Sequence, residues 1–262
     1  MTAPDLSPQI NLPFAQIESY GHRFLEEGLS PEIGLSAEVL ETTPRQDFTL
    51  WAERFAGVQV SLHAPFLDLA PGGLDPAVVE VTRGRLLEAA DLAPVWGARH
   101  LIVHNYYDEI RYGLVADRWL ATAVETWRIL LEATETSQTI ILIENVYEAD
   151  PFMIRLLLEK ISHPRLGLCF DAGHHNVFSQ ASLDEWLDIL GPWLKRLHLH
   201  DNDGSFDQHL SLGQGDFDFK ALCNWIRKQG LYPAITLEPH RESDLEPSLA
   251  ALGRLTGDTK RP

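Results

Sequence analysis

The segment LKRLHLHDNDGSFDQHLSLGQG, residues 194–215, changes within a few positions from an apolar strand to a loop dense in titratable side chains. From His198 onward, twelve positions hold three histidines and three aspartates, and these are His198, His200, Asp201, Asp203, Asp207 and His209. A solvated acidic loop rarely also needs three imidazoles, and a buried loop of this polarity needs something bound to it. The segment therefore predicts a metal site at the carboxyl end of a strand.

Short apolar runs alternate with longer amphipathic runs along the rest of the chain, which is typical of parallel strands joined by helices. We predict eight strands, at Ile10–Pro13, Glu32–Leu35, Val58–His63, His100–His104, Thr139–Glu144, Leu166–Asp171, Leu194–His200 and Ala234–Glu238. The clearest helical patterns are Pro76–Val95, Ala116–Thr136, Pro151–Ile161, Leu183–Leu190 and Phe219–Gln229. Asp75, Asp150 and Ser182 are the expected residues at three of the helix starts.

Six of the predicted strands end in a histidine or a carboxylate, and these residues are His63, His104, Glu144, Asp171, His198 and Glu238. In a closed (β/α)8 barrel the carboxyl ends of the strands converge on one mouth, whereas in an open doubly wound sheet they lie along a line. One concentrated site favours an α/β protein with a (β/α)8 TIM barrel, with the open sheet as the alternative. The chain has no linker-like run, so we predict a single domain over residues 1–262, with 256–262 as a flexible tail.

The formal net charge of −17 argues against broad attraction to a nucleic acid backbone, and it stays acidic if three divalent ions are added. A small-molecule substrate is therefore favoured over nucleic acid. The N-terminus lacks a basic segment before an apolar core, and no apolar run approaches the roughly 20 residues of a membrane span. With two cysteines and no pairing pattern, we predict a cytoplasmic protein without a membrane partner; the oligomeric state stays undetermined.

Three further candidate ligands join the six strand ends, and these are His174, Asp207 and His209. A single catalytic zinc usually takes three protein ligands, so nine candidates suit up to three ions. Imidazoles and carboxylates without thiolate fit Zn²⁺, Mn²⁺ or Fe²⁺. A carboxylate such as Glu144 can bridge two ions, and ions about 3.5–4 Å apart are the usual apparatus for in-line attack on phosphorus.

The ordered motifs SLHAPF, VHNYY, LIENV, CFDAGHH, LHLHDN, DQHLSLGQG and TLEPH resemble those of the endonuclease IV and xylose-isomerase-like TIM-barrel superfamily, over about residues 58–240. The resemblance implies a first metal on His63, His104 and Glu144. It implies a second on Glu144, Asp171, His198 and Glu238, and a third on His174, Asp207 and His209. It also implies a phosphodiesterase in which a metal-bound hydroxide attacks phosphorus, with Glu144, Asp171 and Glu238 as catalytic carboxylates.

The sugar (phosphate) isomerases and epimerases of this superfamily are the main alternative, because this chain resembles them too. Their single-metal site needs only Glu144, Asp171, His198 and Glu238, and two of the carboxylates move a proton beside a carbonyl. The pair Asp207 and His209 favours the hydrolase, since an epimerase leaves this pair without a clear task. An AP-site DNA endonuclease and a non-catalytic metal-binding protein are further alternatives.

The chain departs from the DNA-repair branch at His200, where that branch usually has asparagine, and basic residues near the mouth are few apart from Arg111. It resembles more closely the small-substrate phosphodiesterases that cleave the nucleotide loop of cobamides. Candidate substrate contacts are Phe66, Tyr106, Tyr107, Arg111, His175 and His200. For His22, His100, His163 and His240 we predict structural roles, and for Gly213-x-Gly215 a bend rather than a phosphate cradle.

Overall fold

Eight parallel strands form a closed barrel in the computed structural model, which describes residues 8–257. The strands pair in chain order and β8 closes against β1. Their bounds are β1 Gln9–Pro13, β2 Ser30–Gly34, β3 Ser61–His63, β4 His100–His104, β5 Ile140–Glu144, β6 Leu166–Asp171, β7 Leu194–Leu199 and β8 Ala234–Leu237. The predicted (β/α)8 barrel is confirmed, and the open-sheet alternative is wrong.

Helices follow the strands and surround the barrel. They are α1 Ile17–Glu27, α2 Ala37–Thr42, α3 Arg45–Arg54, α4 Pro76–Trp96, α5 Glu109–Tyr112, α6 Ala116–Ala133, α7 Phe152–Ile161, α8 Ala172–Phe178, α9 Leu183–Leu190, α10 Phe219–Gln229 and α11 Leu245–Thr256. The five predicted helices are present, α9 and α10 with the predicted bounds. Thr256 ends α11 and so is not part of a tail, while residues 258–262 lie outside the described residues.

The predicted helix starts depend on side-chain caps. Asp75 accepts a hydrogen bond from the Ala77 N–H at 2.8 Å, and Ser182 accepts one from the Glu185 N–H at 3.3 Å. Such caps satisfy backbone donors that have no partner within the helix. Asp150 accepts a hydrogen bond from the Phe152 N–H at 2.9 Å, but Pro151 is the cap residue of α7, so the helix begins one residue later than predicted.

The first helix, α1, was not predicted because Gly21 interrupts its apolar pattern. A β-carbon at this position would lie 2.5 Å from the Trp51 ring, so glycine allows α1 to pack closely against α3. Trp51 is buried in this contact, and its indole N–H donates to Glu18 at 2.8 Å. Tertiary packing thus overrides the low helix propensity of glycine.

The apolar core lies between the strands and the helices, and the helix tryptophans Trp119, Trp127 and Trp186 are fully buried in it. The carboxyl ends of all eight strands face one mouth, because every strand pair is parallel. Within residues 8–257, no helix combines the length and the apolar character that crossing a membrane requires.

Candidate metal centre

The first predicted ligand set comes from three neighbouring strand ends. Glu144 ends β5 with its side chain 1% exposed, and its Oε2 atom lies 3.1 Å from His63 Nε2 at the end of β3. The same oxygen lies 3.4 Å from His104 Nε2 at the end of β4. Parallel pairing in register explains this convergence, since His104 lies directly beside Glu144 in the sheet. The structure therefore brings the first set together.

The second set gathers around the imidazole of His198, which is fully buried on β7. Its Nδ1 atom lies 3.0 Å from Glu238 Oε1, 3.4 Å from Glu144 Oε1 and 3.9 Å from Asp171 Oδ2. The four residues come from β5, β6, β7 and the end of β8, so consecutive strands supply them. One nitrogen and three carboxylates meet at a single point of the mouth.

The third set joins a helix to the loop that follows β7. Asp207 Oδ2 lies 3.1 Å from His209 Nε2 and 3.5 Å from His174 Nε2 at the start of α8. His209 has a left-handed backbone, with φ of 50°, which turns its ring back towards Asp207. His174 Nδ1 is also 3.4 Å from Glu144 Oε1, so the third set adjoins the other two.

The residues fit divalent ions in both geometry and chemistry. Groups of three donor atoms lie within 4.8 Å of one another in the first predicted set, His63, His104 and Glu144. Residues of the other two sets form such groups in new combinations with His200, which are Asp171, His174 and His200, and His200, His209 and Glu238. Among the described residues, several buried polar atoms at this mouth have no hydrogen-bonding partner, and these are Nδ1 of His104 and His200, both ring nitrogens of His198, Oδ1 of Asp207 and Oε1 of Glu32, which lies 3.0 Å from His198 Nε2 as an ion-pair contact. Buried polar atoms are nearly always paired, so such a cluster indicates a missing ligand. Imidazole and carboxylate donors suit Zn²⁺, Mn²⁺ or Fe²⁺.

His200 lies between the second and third sets rather than at the rim. Its Nε2 atom is 3.1 Å from Asp171 Oδ1, and its Nδ1 atom is 3.4 Å from Asp207 Oδ1. The ring rests against the backbone of Gly173, where a β-carbon would come within 1.9 Å of it. Glycine in the DAGHH motif is thus required by the close approach of this imidazole. His200 faces the carboxylates of two predicted ligands, a position that differs from the predicted substrate contact.

A stack of three imidazoles runs from the centre to the mouth. The rings of His200 and His209 are 3.7 Å apart and nearly parallel, and those of His209 and His240 are also 3.7 Å apart. The prediction of a merely structural role for His240 missed this position. The sequence signal for this position is the TLEPH motif, in which His240 follows two residues after the predicted ligand Glu238.

Glu32 is a further residue of the centre that the sequence did not predict. Its carboxylate is fully buried inside the barrel, with Oε1 3.0 Å from His198 Nε2 and Oε2 3.0 Å from Arg196 Nη1. Burial raises the pKa of Glu32, but His198 and Arg196 lower it to about 2. The signal available in the sequence was a charged residue within a predicted strand. Charged side chains are rarely fully buried unless they are paired, so such a residue indicates a specific partner.

Phe66 and Tyr106 are the predicted substrate contacts that lie beside the centre. The Phe66 ring stacks on His104 at 4.6 Å and is 38% exposed, and Tyr106 lies 5.2 Å from the same imidazole. A cleft of about 580 Å³ opens beside Phe66, and it is lined by Phe66, by several predicted ligands and by mainly apolar side chains of β1 and α1, whereas Tyr106 does not line it. This volume suits a small molecule.

The other predicted contacts have packing positions instead. Tyr107 is buried against Trp119 at 4.9 Å between ring centroids, and the Arg111 guanidinium lies over the Tyr112 ring. The His175 ring packs among Phe170, Trp186 and Phe217. None of the three lines the cleft within the described part of the chain. The side chains of neighbouring loop residues point in different directions, and the sequence does not show which of them face the cleft.

The glycine turn after His209 wraps around the carboxylate of Asp201. Asp201 Oδ2 accepts hydrogen bonds from the N–H groups of Gly213 at 2.8 Å and Gly215 at 2.9 Å, and Oδ1 accepts one from Phe217 at 3.3 Å. A β-carbon on Gly215 would lie 2.1 Å from the Asn202 carbonyl oxygen, so this turn needs glycine. The predicted bend is confirmed: the turn binds a carboxylate of the chain itself.

Asp201→Ala should lower the free energy of unfolding by about 3 kcal/mol or more, because several buried N–H groups lose their acceptor at once. Urea unfolding of chelator-treated protein measures this loss. Asp203→Asn is the matched control, because Asp203 is exposed and its side chain bonds only within its own turn. Equal stability of the Asp201 and Asp203 variants would contradict the role given to Asp201.

The histidines of the centre whose pKa is shifted fall into two classes. Burial lowers the pKa of His174 and His198, but the adjacent carboxylates raise it well above the usual 6.5. Burial is likewise outweighed by carboxylates at His63 and His209, where the pKa is also raised. At His104 burial prevails and lowers the pKa to about 4. Asp171 has its pKa lowered to about 2, because His174 and His200 outweigh the effect of its burial.

These shifts predict a stability maximum near pH 6.5 for the metal-free protein. The histidines with raised pKa stabilise the fold below pH 6.5, and this contribution is lost as the pH rises through their raised values. Four histidines have a lowered pKa, which is about 4 for His104, His175 and His240 and about 3 for His100. Between pH 6.5 and these pKa values the unfolded chain binds more protons than the folded chain, so stability falls as the pH falls. Melting temperatures of chelator-treated protein across pH 4.5 to 8.5 test this, and a steady rise above pH 6.5 would contradict it.

The barrel is shared with known proteins. The family model described as a xylose isomerase-like TIM barrel matches residues 14–255. The TTHB071 protein from Thermus thermophilus, solved after soaking with ZnCl2, superposes with a TM-score of 0.83 and 31% identity, covering 97% of this chain and 100% of that chain. A D-tagatose 3-epimerase-like protein superposes with a TM-score of 0.81 at 22% identity, covering 95% of this chain and 97% of that one, which shows the shared fold.

A relative from Methanocaldococcus jannaschii, the uncharacterized protein MJ1311, is 27% identical over 188 residues. The match covers 69% of this chain and 64% of that protein, so the chain spans less than two thirds of the relative's length. The full-length match to TTHB071 and the family model over residues 14–255 agree with the closed barrel described above. The chain belongs to the xylose isomerase-like TIM barrel family.

Proposed function

We propose that this chain is a metal-dependent phosphodiesterase that acts on a small substrate. The observation that carries the proposal is the third ligand set, in which Asp207 Oδ2 lies 3.1 Å from His209 Nε2 and 3.5 Å from His174 Nε2. An epimerase reaction needs the second set alone. The third set, together with His63 and His104, supplies the ligands that phosphoryl chemistry on several ions requires.

Glu144 has the position of a bridging carboxylate. Its Oε2 atom faces His63 and His104, whereas its Oε1 atom faces His174 and His198 at 3.4 Å each. Divalent ions held there would supply a nucleophile from water at neutral pH and would neutralise charge on the phosphate oxygens. The protein's own contribution is to fix these ligands in a buried mouth, where electrostatic interactions are strong.

The substrate class follows from the cleft and the charge. A cleft of about 580 Å³ with apolar walls suits a small phosphodiester with an apolar or planar portion, such as the nucleotide loop of a cobamide. The net charge of −17 disfavours a long nucleic acid. Up to three ions of zinc, manganese or iron are proposed, and the unpaired cysteines favour the cytoplasm as the compartment.

A sugar isomerase or epimerase is the second candidate, and one observation favours it. Glu238 Oε1 and Glu144 Oε1 approach the same nitrogen of His198 at 3.0 Å and 3.4 Å, so two carboxylates flank one metal position. Such a pair is able to remove a proton on one face of a carbon and return it on the other. The D-tagatose 3-epimerase-like protein shares the fold on which this site is built.

Metal content and turnover distinguish the candidates. Protein purified without chelator is analysed for zinc, manganese and iron per chain and is assayed with bis-p-nitrophenyl phosphate. Close to three ions and hydrolysis would support the phosphodiesterase. One ion, no hydrolysis and exchange of sugar α-protons with deuterium would overturn it in favour of the epimerase. Cleavage of duplex DNA at an abasic site in low salt would instead indicate the endonuclease, and bound metal without any turnover would indicate a binding protein.

A further inference from the structure

We propose that Glu32 is a positioning residue, which holds the His198 ring so that Nδ1 faces the second ligand set. Glu32 lies on β2, which carries none of the predicted ligands, and its side chain is fully buried. Its Oε1 atom is 3.0 Å from His198 Nε2, on the side of the ring opposite Glu238. The inference rests on the second ligand set, which both candidate functions share.

The chemistry of imidazole explains why such a partner is needed. A histidine that binds a metal through Nδ1 carries its proton on Nε2, and the group at Nε2 selects that tautomer and orients the ring. A carboxylate is the strongest acceptor for this proton. Without Glu32, the buried ring could carry its proton on Nδ1, where it would face Glu238 as a donor and would not bind an ion.

Glu32 is itself immobilised from the other side. Its Oε2 atom lies 3.0 Å from Arg196 Nη1 and accepts a hydrogen bond from Thr236 Oγ1 at 2.9 Å. Arg196 in turn donates to Ser61 Oγ at 2.7 Å and lies 3.0 Å from His100 Nδ1. The network crosses the barrel interior and holds the Oε2 atom of Glu32, which keeps Oε1 on the side of His198.

A purely structural role, in which Glu32 only neutralises Arg196, makes a different prediction. A buried ion pair costs desolvation energy and often stabilises a fold no more than apolar side chains of equal size do. Removing both charges should therefore restore the stability that is lost when one is removed. It should not restore metal binding if Glu32 orients His198. The double variant Glu32→Gln with Arg196→Met separates these roles.

The experiment measures zinc affinity and melting temperature for Glu32→Gln, for the double variant and for Ser61→Ala. Ser61→Ala is the matched control, because Ser61 contacts Arg196 but not His198. We expect the double variant to melt close to the wild type in chelator while one zinc site per chain is weakened about 10- to 100-fold. The Ser61 variant should bind zinc as the wild type does. Wild-type zinc affinity in the double variant would overturn the proposal.

A second measurement on the wild type does not depend on the variants folding. Long-range ¹H–¹⁵N spectra of the zinc-loaded protein should show His198 protonated at Nε2, with its signal assigned by its loss in His198→Asn. A proton on Nδ1 would overturn the proposal. Both measurements are made without substrate, so failure of the wild type to hydrolyse a phosphodiester refutes the proposed function and leaves this test intact.

Discussion

Asp207→Ala is expected to remove one divalent ion per chain and to reduce hydrolysis of bis-p-nitrophenyl phosphate by on the order of 10²-fold or more. Asp207 is the only carboxylate of the third set, and its Oδ2 atom lies between His174 Nε2 and His209 Nε2. Without it two imidazoles remain, fewer than the three protein ligands that a catalytic zinc usually has. His209→Ala should give the same loss by the same argument. Metal analysis and initial rates on the same preparations measure both effects.

Asp203→Asn is the matched control for this pair, because it removes a carboxylate four residues earlier in the same loop. Asp203 is exposed and accepts hydrogen bonds from Ser205 within its own turn. The variant should keep the wild-type number of ions and the wild-type rate. If Asp207→Ala and His209→Ala also kept both, the third set would not hold an ion and the phosphodiesterase proposal would fail.

Glu144→Gln is expected to have a still larger effect, with loss of more than one ion per chain and a fall in hydrolysis on the order of 10³-fold. Its two oxygens face different ligand sets, so an amide in this place weakens the first and second sets together. In metal-free protein the same change should lower the pKa of His63 and His174 towards the usual value, since the Glu144 carboxylate helps to raise both. Stability of the variant should then decline less between pH 6.5 and 8.5.

Glu148→Gln provides the comparison for Glu144. Glu148 is buried in the loop that follows β5, but it accepts hydrogen bonds from Asn105 and from the Tyr107 and Val146 N–H groups rather than from histidine. Its replacement should leave the metal content unchanged. Equal metal loss in the two variants would mean that any buried carboxylate here supports binding, which would contradict a bridging role for Glu144.

The strand ends could be predicted because two simple signals coincide there. An apolar run predicts a buried strand, and a polar residue at its end must lie at the mouth of a parallel barrel. For β4 and β6 the predicted bounds are those observed. Strand β3 begins at Ser61 instead of Val58, because the Val58 N–H donates to the Phe55 carbonyl at 2.9 Å in the turn after α3. An apolar pattern alone does not distinguish such a turn from a strand.

The side-chain contacts inside the barrel could not be predicted from the sequence. Strands of a parallel barrel are apolar on both faces, so their pattern does not show whether Glu32 points inward or outward. Its contact with His198 joins β2 to β7 across the barrel and depends on strand register and tilt. The three-imidazole stack has the same origin, since His200, His209 and His240 meet only after the loop following β7 folds back.

The predicted ligands differ in exposure, which has a consequence for how a metal centre built from them would exchange its ions. The side chains of Glu144, Asp171 and His198 are 1%, 0% and 0% exposed, whereas that of Asp207 is 30% exposed. Under the proposed function, an ion on Asp207 has the shortest path to water and would equilibrate with the cellular metal pool, while the inner ions would remain kinetically trapped. Turnover would then depend on the concentration of free metal. Metal depletion would inactivate the enzyme reversibly, because the inner ions would stay bound.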